Sequence, residues 1–415
     1  MMEAGHSVES GDEVMALGRH WRELCIYISD LIYKNISEAS SRAHRRSQMF
    51  EMNLEKKTRR GAPRARSRAR STFVSAQRRS VNDHNCSKWH RMAPRILIFG
   101  TGSIGTIYAY ILSRAVPASN IFTVCRSNFE VASKDGFTIH SSLWGENLNV
   151  RPVVIRSVDE AVASDASSPF DYVLVCSKAL PTIPSTADLI KPAVSSNTTI
   201  VLIQNGIATE EPYSKLFPNN PLLSTVVYLP ATQIGPGIVQ HKEVELLHMG
   251  SYPASSNTES ASRFASLLNA GGATTKVHED IQFERWSKLL VNASWNPICA
   301  LSRSRDVQVL KSGPDAKDFV RDVMLEIAAV ANACGYLGID TALVDYQLGR
   351  AAVRELPGVE PSMMADSLAG RNMEVEAIVG NVIKIARAYD VKTPMLRTIH
   401  VLATALNCSF GYGTS

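Results

Sequence analysis

The chain has 415 residues, of which 45% are hydrophobic and 20% charged, the balance of an ordinary soluble globular protein with room for two or three domains. Its net charge of +5 is uneven: residues 1–93 hold 18 Lys and Arg against 10 Asp and Glu, and the remainder holds 26 against 29. A slightly acidic body argues against nucleic acid as the partner of the folded part. No apolar run approaches the ~18 residues of a membrane span, and seven scattered cysteines without a CxxC pair read as reduced thiols rather than a zinc site.

Residues 1–93 form a basic extension. A helix is expected over 14–33, with Val14, Leu17, Trp21, Cys25 and Ile28 on one side. The run KKTRRGAPRARSRAR (56–70) has too few apolar side chains to fold alone. A dispensable disordered extension, or a mistaken upstream start with Met92 as the expected beginning, accounts for it more simply than a nuclear signal, a nucleic-acid tail or a transit segment, since transit segments are usually poor in acidic residues. The expected compartment is the cytoplasm, or the mitochondrion if the extension is a genuine transit segment.

The stretch around which the rest of the chain is arranged is RILIFGTGSIGTIYAYILSRA (95–115). Ile96–Phe99 is a short apolar run, the mark of a strand buried on both faces. Gly100-Thr101-Gly102-Ser103-Ile104-Gly105 then fits G-x-G-x-x-G, and Ile104, Tyr108, Ile111 and Leu112 continue at helical spacing. In such a strand–turn–helix, Gly100 permits the turn, Gly102 lets the backbone approach a pyrophosphate, and Gly105 lets helix and strand pack closely. The helix start is a ready anion site.

Next, NIFTVC (120–125) reads as a second strand, followed at once by Arg126 and Ser127. An acidic residue at this place favours a ribose 2′-hydroxyl; Arg favours a 2′-phosphate, hence NADP(H). YVLVC (172–176) is a further buried strand leading to Lys178, and TIVLIQ (199–204) leads to Asn205-Gly206. Both polar residues lie just past strand ends, where ligands sit in this architecture, although Asn-Gly also suits a simple turn. Residues 222–250 read as antiparallel strands extending the sheet, 255–268 as a helix and 274–278 as a last strand.

From about residue 279 the pattern is helical throughout. The helix from Ile281 to about Leu301 carries Lys288, Asn292 and Asn296 four residues apart, one polar stripe that needs partners, a ligand or solvent. Pro297 should kink or end it near Asn296. Further helices are expected near 314–336, 340–354 and 394–408. Ser362 is expected in a loop or short turn, and Glu374 at the opening of a helix that buries Val375, Ile378, Val379, Val382 and Ile383.

GTGSIG, the strand-end Lys178, QNGI with Asn205, KLLVNASWNP and PSMMADSLAGRNMEVEAI, in this order, resemble ketopantoate reductase (2-dehydropantoate 2-reductase) from about Ile96 onward. The resemblance implies an α/β fold: a doubly wound Rossmann-type domain (94–278) binding NADP(H), then an all-α substrate domain (279–415). It implies reduction of ketopantoate to pantoate with Lys288 as general acid and Glu374 beside cofactor and substrate. Asn292, Asn296 and Ser362 would hold the substrate; Arg126, Lys178, Asn205 and the glycine loop would hold the cofactor. Asp306 stands where the bacterial pattern has a further substrate-binding Asn, and an anion there disfavours a carboxylate unless it is turned away. The open alternatives are a reductase of the same build acting on another 2-keto acid or a secondary metabolite, and a sensor that binds NADP without turnover. The expected partners are a small 2-keto acid and at most a second copy of the chain, with no metal, nucleic acid or membrane.

Overall fold

The computed structural model describes residues 93–412, apart from 165–168 and 243. The basic run and the helix expected over 14–33 lie outside the described residues. Among those described, no helix is long and apolar enough to cross a membrane.

The apolar runs become the middle of an eight-stranded sheet. Its strands in chain order are β1 (Ile96–Phe99), β2 (Ile121–Val124), β5 (Val153–Ile155), β6 (Tyr172–Val175), β7 (Thr199–Leu202), β8 (Leu222–Tyr228), β11 (Leu246–Ser251) and β12 (Thr275–Val277). In space they run β12-β11-β8-β7-β6-β1-β2-β5. β1 pairs in parallel with both β2 and β6, Ile96 lying opposite Ile121 and Tyr172. The chain therefore winds outward from β1, returns and winds the other way, which makes the carboxyl end of β1 the switch point where ligands bind in doubly wound sheets. The strands are buried on both faces, with alternate residues in different cores. Ile96, Ile98, Leu174 and Val201 join one, with helices α1 (Ser103–Ser113) and α6 (Glu259–Ala270). Leu97, Val173, Val175, Ile200 and Leu202 join the other.

The expectation for 222–250 needs correction. In the eight-stranded sheet β8 is parallel to β7, and β11 extends the sheet antiparallel to β8 as expected. The segment between them leaves the sheet as the hairpin β9 (Ala231–Gly235) and β10 (Ile238–His241), joining β3 (Phe137–Ser141) and β4 (Gly145–Val150) in a second sheet of order β4-β3-β10-β9. The reason lies in the side chains. Thr232, Gln233 and Ile234 are exposed, and β3 and β10 bury alternate residues only, so these strands suit a sheet with one wet face. The sequence reading assigned nothing between residues 128 and 171, where β3–β5 lie, because β4 (GENLNV) is polar and β5 has only three residues.

In the helical half, α7 (Gln282–Ser302) is central and packs on α9 (Ala316–Ala333), α10 (Thr341–Ala352), α11 (Ser362–Leu368) and α13 (Pro394–Tyr412), with the short α8 (Asp306–Leu310) beside it. α7 runs to Ser302, close to the expected end; it does not end at Pro297, and it stops at Arg303, whose φ is 54°. Residues 293–300 are all buried, so packing outweighs the one helical hydrogen bond that a proline forgoes. Glu374 opens its helix as expected, its carbonyl accepting the Ile378 N–H at 3.1 Å. After Val375 that helix passes through a π-helical turn, Glu376–Gly380, before α12 (Asn381–Ala388), and the five apolar residues named for its inner side are all buried.

Candidate active site

The glycine loop has the shape its sequence demands. Gly100 has φ +93°, and a Cβ there would lie 2.4 Å from the backbone nitrogen of Ser177. A Cβ on Gly105 would lie 2.3 Å from the carbonyl oxygen of Gly100. These two glycines serve close packing. Gly102 differs: a Cβ would meet nothing within 4 Å, and no side chain caps the start of α1. The face of the loop presented by Gly102, half-buried Ser103 and half-buried Ile104 is therefore open, with free helix N–H groups, and fits a diphosphate. The Thr101 hydroxyl is not part of that face. It donates to the carbonyl of Val124, while Asn128 donates to the carbonyl of Thr101, so the pair pins the loop to β2. Arg126 is exposed just beyond the carboxyl end of β2.

The strand ends reach into the helical half. Lys178 Nζ lies 2.7 Å from Asp366 Oδ2 and donates to the carbonyl of Asn372 at 3.0 Å. Asp366, on α11, also meets Arg371 Nε at 3.1 Å. Glu374 is buried, and its Oε1 accepts the Ala179 N–H at 2.8 Å. Burial raises its carboxyl above the ordinary range, with Asp366 pushing the same way, although the Ala179 N–H, the Lys178 charge and the Asn205 amide pull it down. Gly206 (φ +103°) brings the loop after β7 against the π turn: the Ile207 N–H donates to the Ala377 carbonyl at 3.1 Å, and Asn381 donates to the Ile207 carbonyl.

Lys288 joins the two halves. From α7 its Nζ donates to Asn205 Oδ1 at 2.9 Å and to the Val227 carbonyl at 2.6 Å, and lies 5.3 Å from the centre of the Tyr228 ring. Burial lowers its pKa to about 8; Arg285 adds to the fall and Glu374 opposes it. Arg285, one turn earlier and buried, is held 2.8 Å from Glu210 Oε1 and donates to Ser224 and to the Gly206 carbonyl. Burial would raise Glu210, but Arg285, Ser224 and Gln282 outweigh it and hold the carboxyl below its usual range. Beside this lie His248 and His278, both pulled down by burial, to about 3 and about 4.

A cavity of about 180 Å³ opens over Lys288 and Asn292, with Tyr228, Trp295 and Arg350 among its walls. Asn296 is buried one turn further along α7 and Ser362 is exposed at the start of α11; neither lines this cavity. The sequence reading missed the α10 wall. Its signal was present: Gln347, Arg350, Ala351 and Arg354 recur at helical spacing and all line the cavity. Asp306 is turned away, buried, accepting the Val307 and Val359 N–H groups and paired with Arg354. Its charge is thus committed within the protein rather than facing the cavity.

Residues 96–254 match the family profile described as Ketopantoate reductase PanE/ApbA, and residues 280–407 that described as Ketopantoate reductase PanE/ApbA C terminal. The chain is 28% identical over 333 residues to an uncharacterised protein of Saccharomyces cerevisiae, covering 74% of this chain and 92% of that one. It is 26% identical to the 2-dehydropantoate 2-reductase of Mesorhizobium japonicum, covering 75% and 97%. The crystal structure of 2-dehydropantoate 2-reductase from Methylococcus capsulatus superposes with a TM-score of 0.67 at 30% identity, over 76% of this chain and 97% of that one. A D-mandelate dehydrogenase with NADH and anilino(oxo)acetate, at 20% identity and TM-score 0.67, shares the fold. With an open glycine loop on one side of the cleft and a half-buried lysine on the other, the chain belongs to the ketopantoate reductase family of NAD(P)H-binding oxidoreductases.

Proposed function

We propose that this protein reduces ketopantoate to pantoate with NADPH, Lys288 donating the proton. The observation that carries the reading is the position of Lys288: a half-buried ammonium in the lining of a cavity, bonded to Asn205 of the nucleotide half. The Gly102 face would hold the diphosphate, Arg126 the 2′-phosphate, and Lys178 and Asn205 the ribose–nicotinamide end. Bound there, the nicotinamide supplies hydride to the ketone carbon. Lys288 stabilises the charge that grows on the ketone oxygen and delivers a proton from Nζ to it. A pKa of about 8 leaves the amine mostly protonated at neutral pH yet a better donor than an ordinary lysine. The two bonds from Asn205 and Val227 fix where that proton points. Asn292, in the cavity lining beside Lys288, offers an amide to the substrate carboxylate or hydroxyl. Glu374, kept from water, tightens the Asn205 contact that orients Lys288.

The experiment is growth rescue of a pantothenate-requiring strain, with NADPH consumption assayed on ketopantoate. Lys288→Ala should lose about 10²–10⁴ in kcat while NADPH binding stays within a few-fold. Wild-type turnover in that variant would remove Lys288 from the mechanism. A second reading, reduction of a bulkier 2-keto acid, is favoured by the Tyr228 and Trp295 walls of the cavity. Faster turnover of an aromatic 2-keto acid than of ketopantoate would select it. NADPH binding with no turnover of any keto acid would select a sensor.

A further inference from the structure

Next to the lysine, and outside the reductive machinery, three side chains from three elements converge. His248 comes from β11, His278 follows β12, and Glu284 lies in the first turn of α7. His248 Nδ1 is 2.9 Å from His278 Nε2 and 3.5 Å from Glu284 Oε2, and the three donor atoms lie within 4.8 Å of one another. The imidazole rings are stacked, 4.9 Å between centres and 13° apart, and the Tyr228 ring meets His248 edge-on. His248 and Glu284 are buried, whereas His278 is half-buried, so the cluster has a protected interior and a side open to solvent.

We propose that His248, His278 and Glu284 bind a divalent transition-metal ion with the preferences of zinc, leaving its fourth position to water. Ligand bonds of about 2.0–2.2 Å in a tetrahedron set neighbouring donors roughly 3.3 Å apart. The 2.9 and 3.5 Å separations bracket that figure and the third, His278 to Glu284, is within 4.8 Å, so the imidazole rings must turn to aim their nitrogens at one point. Two neutral imidazoles and one carboxylate suit zinc, cobalt or nickel; magnesium and calcium want oxygen ligands throughout. Binding replaces the hydrogen bond between the rings. The ring that donates in that bond takes its other tautomer, with its proton on the nitrogen turned away from the ion. The nearby positive charges of Lys276 and Lys288 act on His248 and oppose the cation. Since Glu284 stands one turn before Lys288 on α7, the ion would tie the sheet edge to the helix that carries the lysine. No sequence motif announced the set: its members are 30 and 6 residues apart.

The test uses the full chain, stripped with a chelator and titrated with ZnCl2 by calorimetry and with CoCl2 by visible absorbance. One saturable site is expected, with a rise in Tm of roughly 5 °C at zinc a hundredfold above Kd. His278→Ala, at a half-buried position, should weaken binding at least tenfold and change the cobalt spectrum, and Glu284→Gln should weaken it too. No saturable binding overturns the proposal. So does binding that survives His278→Ala, which would place the ion on other histidines of the chain. If His278→Ala is not folded by circular dichroism, His278→Gln in the same titration decides. None of these readouts depends on keto-acid turnover, so they stand apart from the reductase reading.

Discussion

At the scale of single residues, the site is a problem of placing charge in a dry cleft. Lys288 has lost most of its water, and its two hydrogen bonds compensate only in part, so its pKa falls to about 8. The consequence has a definite sign. Reduction needs the protonated amine, so kcat should be level below about pH 7.5 and fall tenfold per unit above about 8. Lys288→Arg should remove that alkaline limb, whatever it does to the plateau, because a guanidinium stays charged throughout. A limb unchanged in that variant would assign the titration to another group. Asp306 illustrates the opposite treatment of a charge. Its carboxylate meets two backbone N–H groups and Arg354, which answers the difficulty that an acidic residue at this place poses for an anionic substrate.

At the scale of elements, the three glycines of the loop divide into two kinds, and substitution separates them. Gly105→Ala forces a Cβ to 2.3 Å from the Gly100 carbonyl and should cost about 1–3 kcal/mol of stability, read as a lower Tm. Gly102→Ala meets no protein atom; its Tm should stay within about 1 °C of wild type while NADPH binding weakens tenfold or more. Equal loss of Tm in both would mean that the Gly102 face is structural. The same elements show what was legible beforehand. β1, β2, β6 and β7 are apolar runs with side chains in two cores, and their composition alone marks them. β4 and β9 are polar and exposed, so no local pattern distinguishes them from loops, and only pairing with β3 and β10 makes them strands. Pro297 misled because its local effect is real but smaller than the burial of the eight residues around it. Lys288, Asn205 and Glu374 were legible as residues. Their meeting was not, because residues 205, 288 and 374 come together only when β7, α7 and the π turn have packed.

At the scale of the whole molecule, the described residues form one unit in which the two halves are sewn together by polar contacts lining the cleft. Lys178–Asp366 is the most exposed of these, Arg285–Glu210 the least. Asp366→Asn removes the anion shared by Lys178 and Arg371. Since both cations can hydrate, stability should fall by about 1 kcal/mol or less. If the contact sets cleft geometry, kcat/KM should fall about tenfold, and a variant with normal kcat/KM would make the pair ornamental. The bond from the Ile207 N–H to the Ala377 carbonyl is of another kind, since it runs from main chain to main chain. The bond itself needs only a residue other than proline at 207, while burial of Ile207 in the helical core keeps that residue apolar. Genetic drift can therefore rewrite the surfaces on either side, and a hybrid joining halves from two distant relatives would inherit the seam intact, provided that a glycine remains at 206 to make the approach.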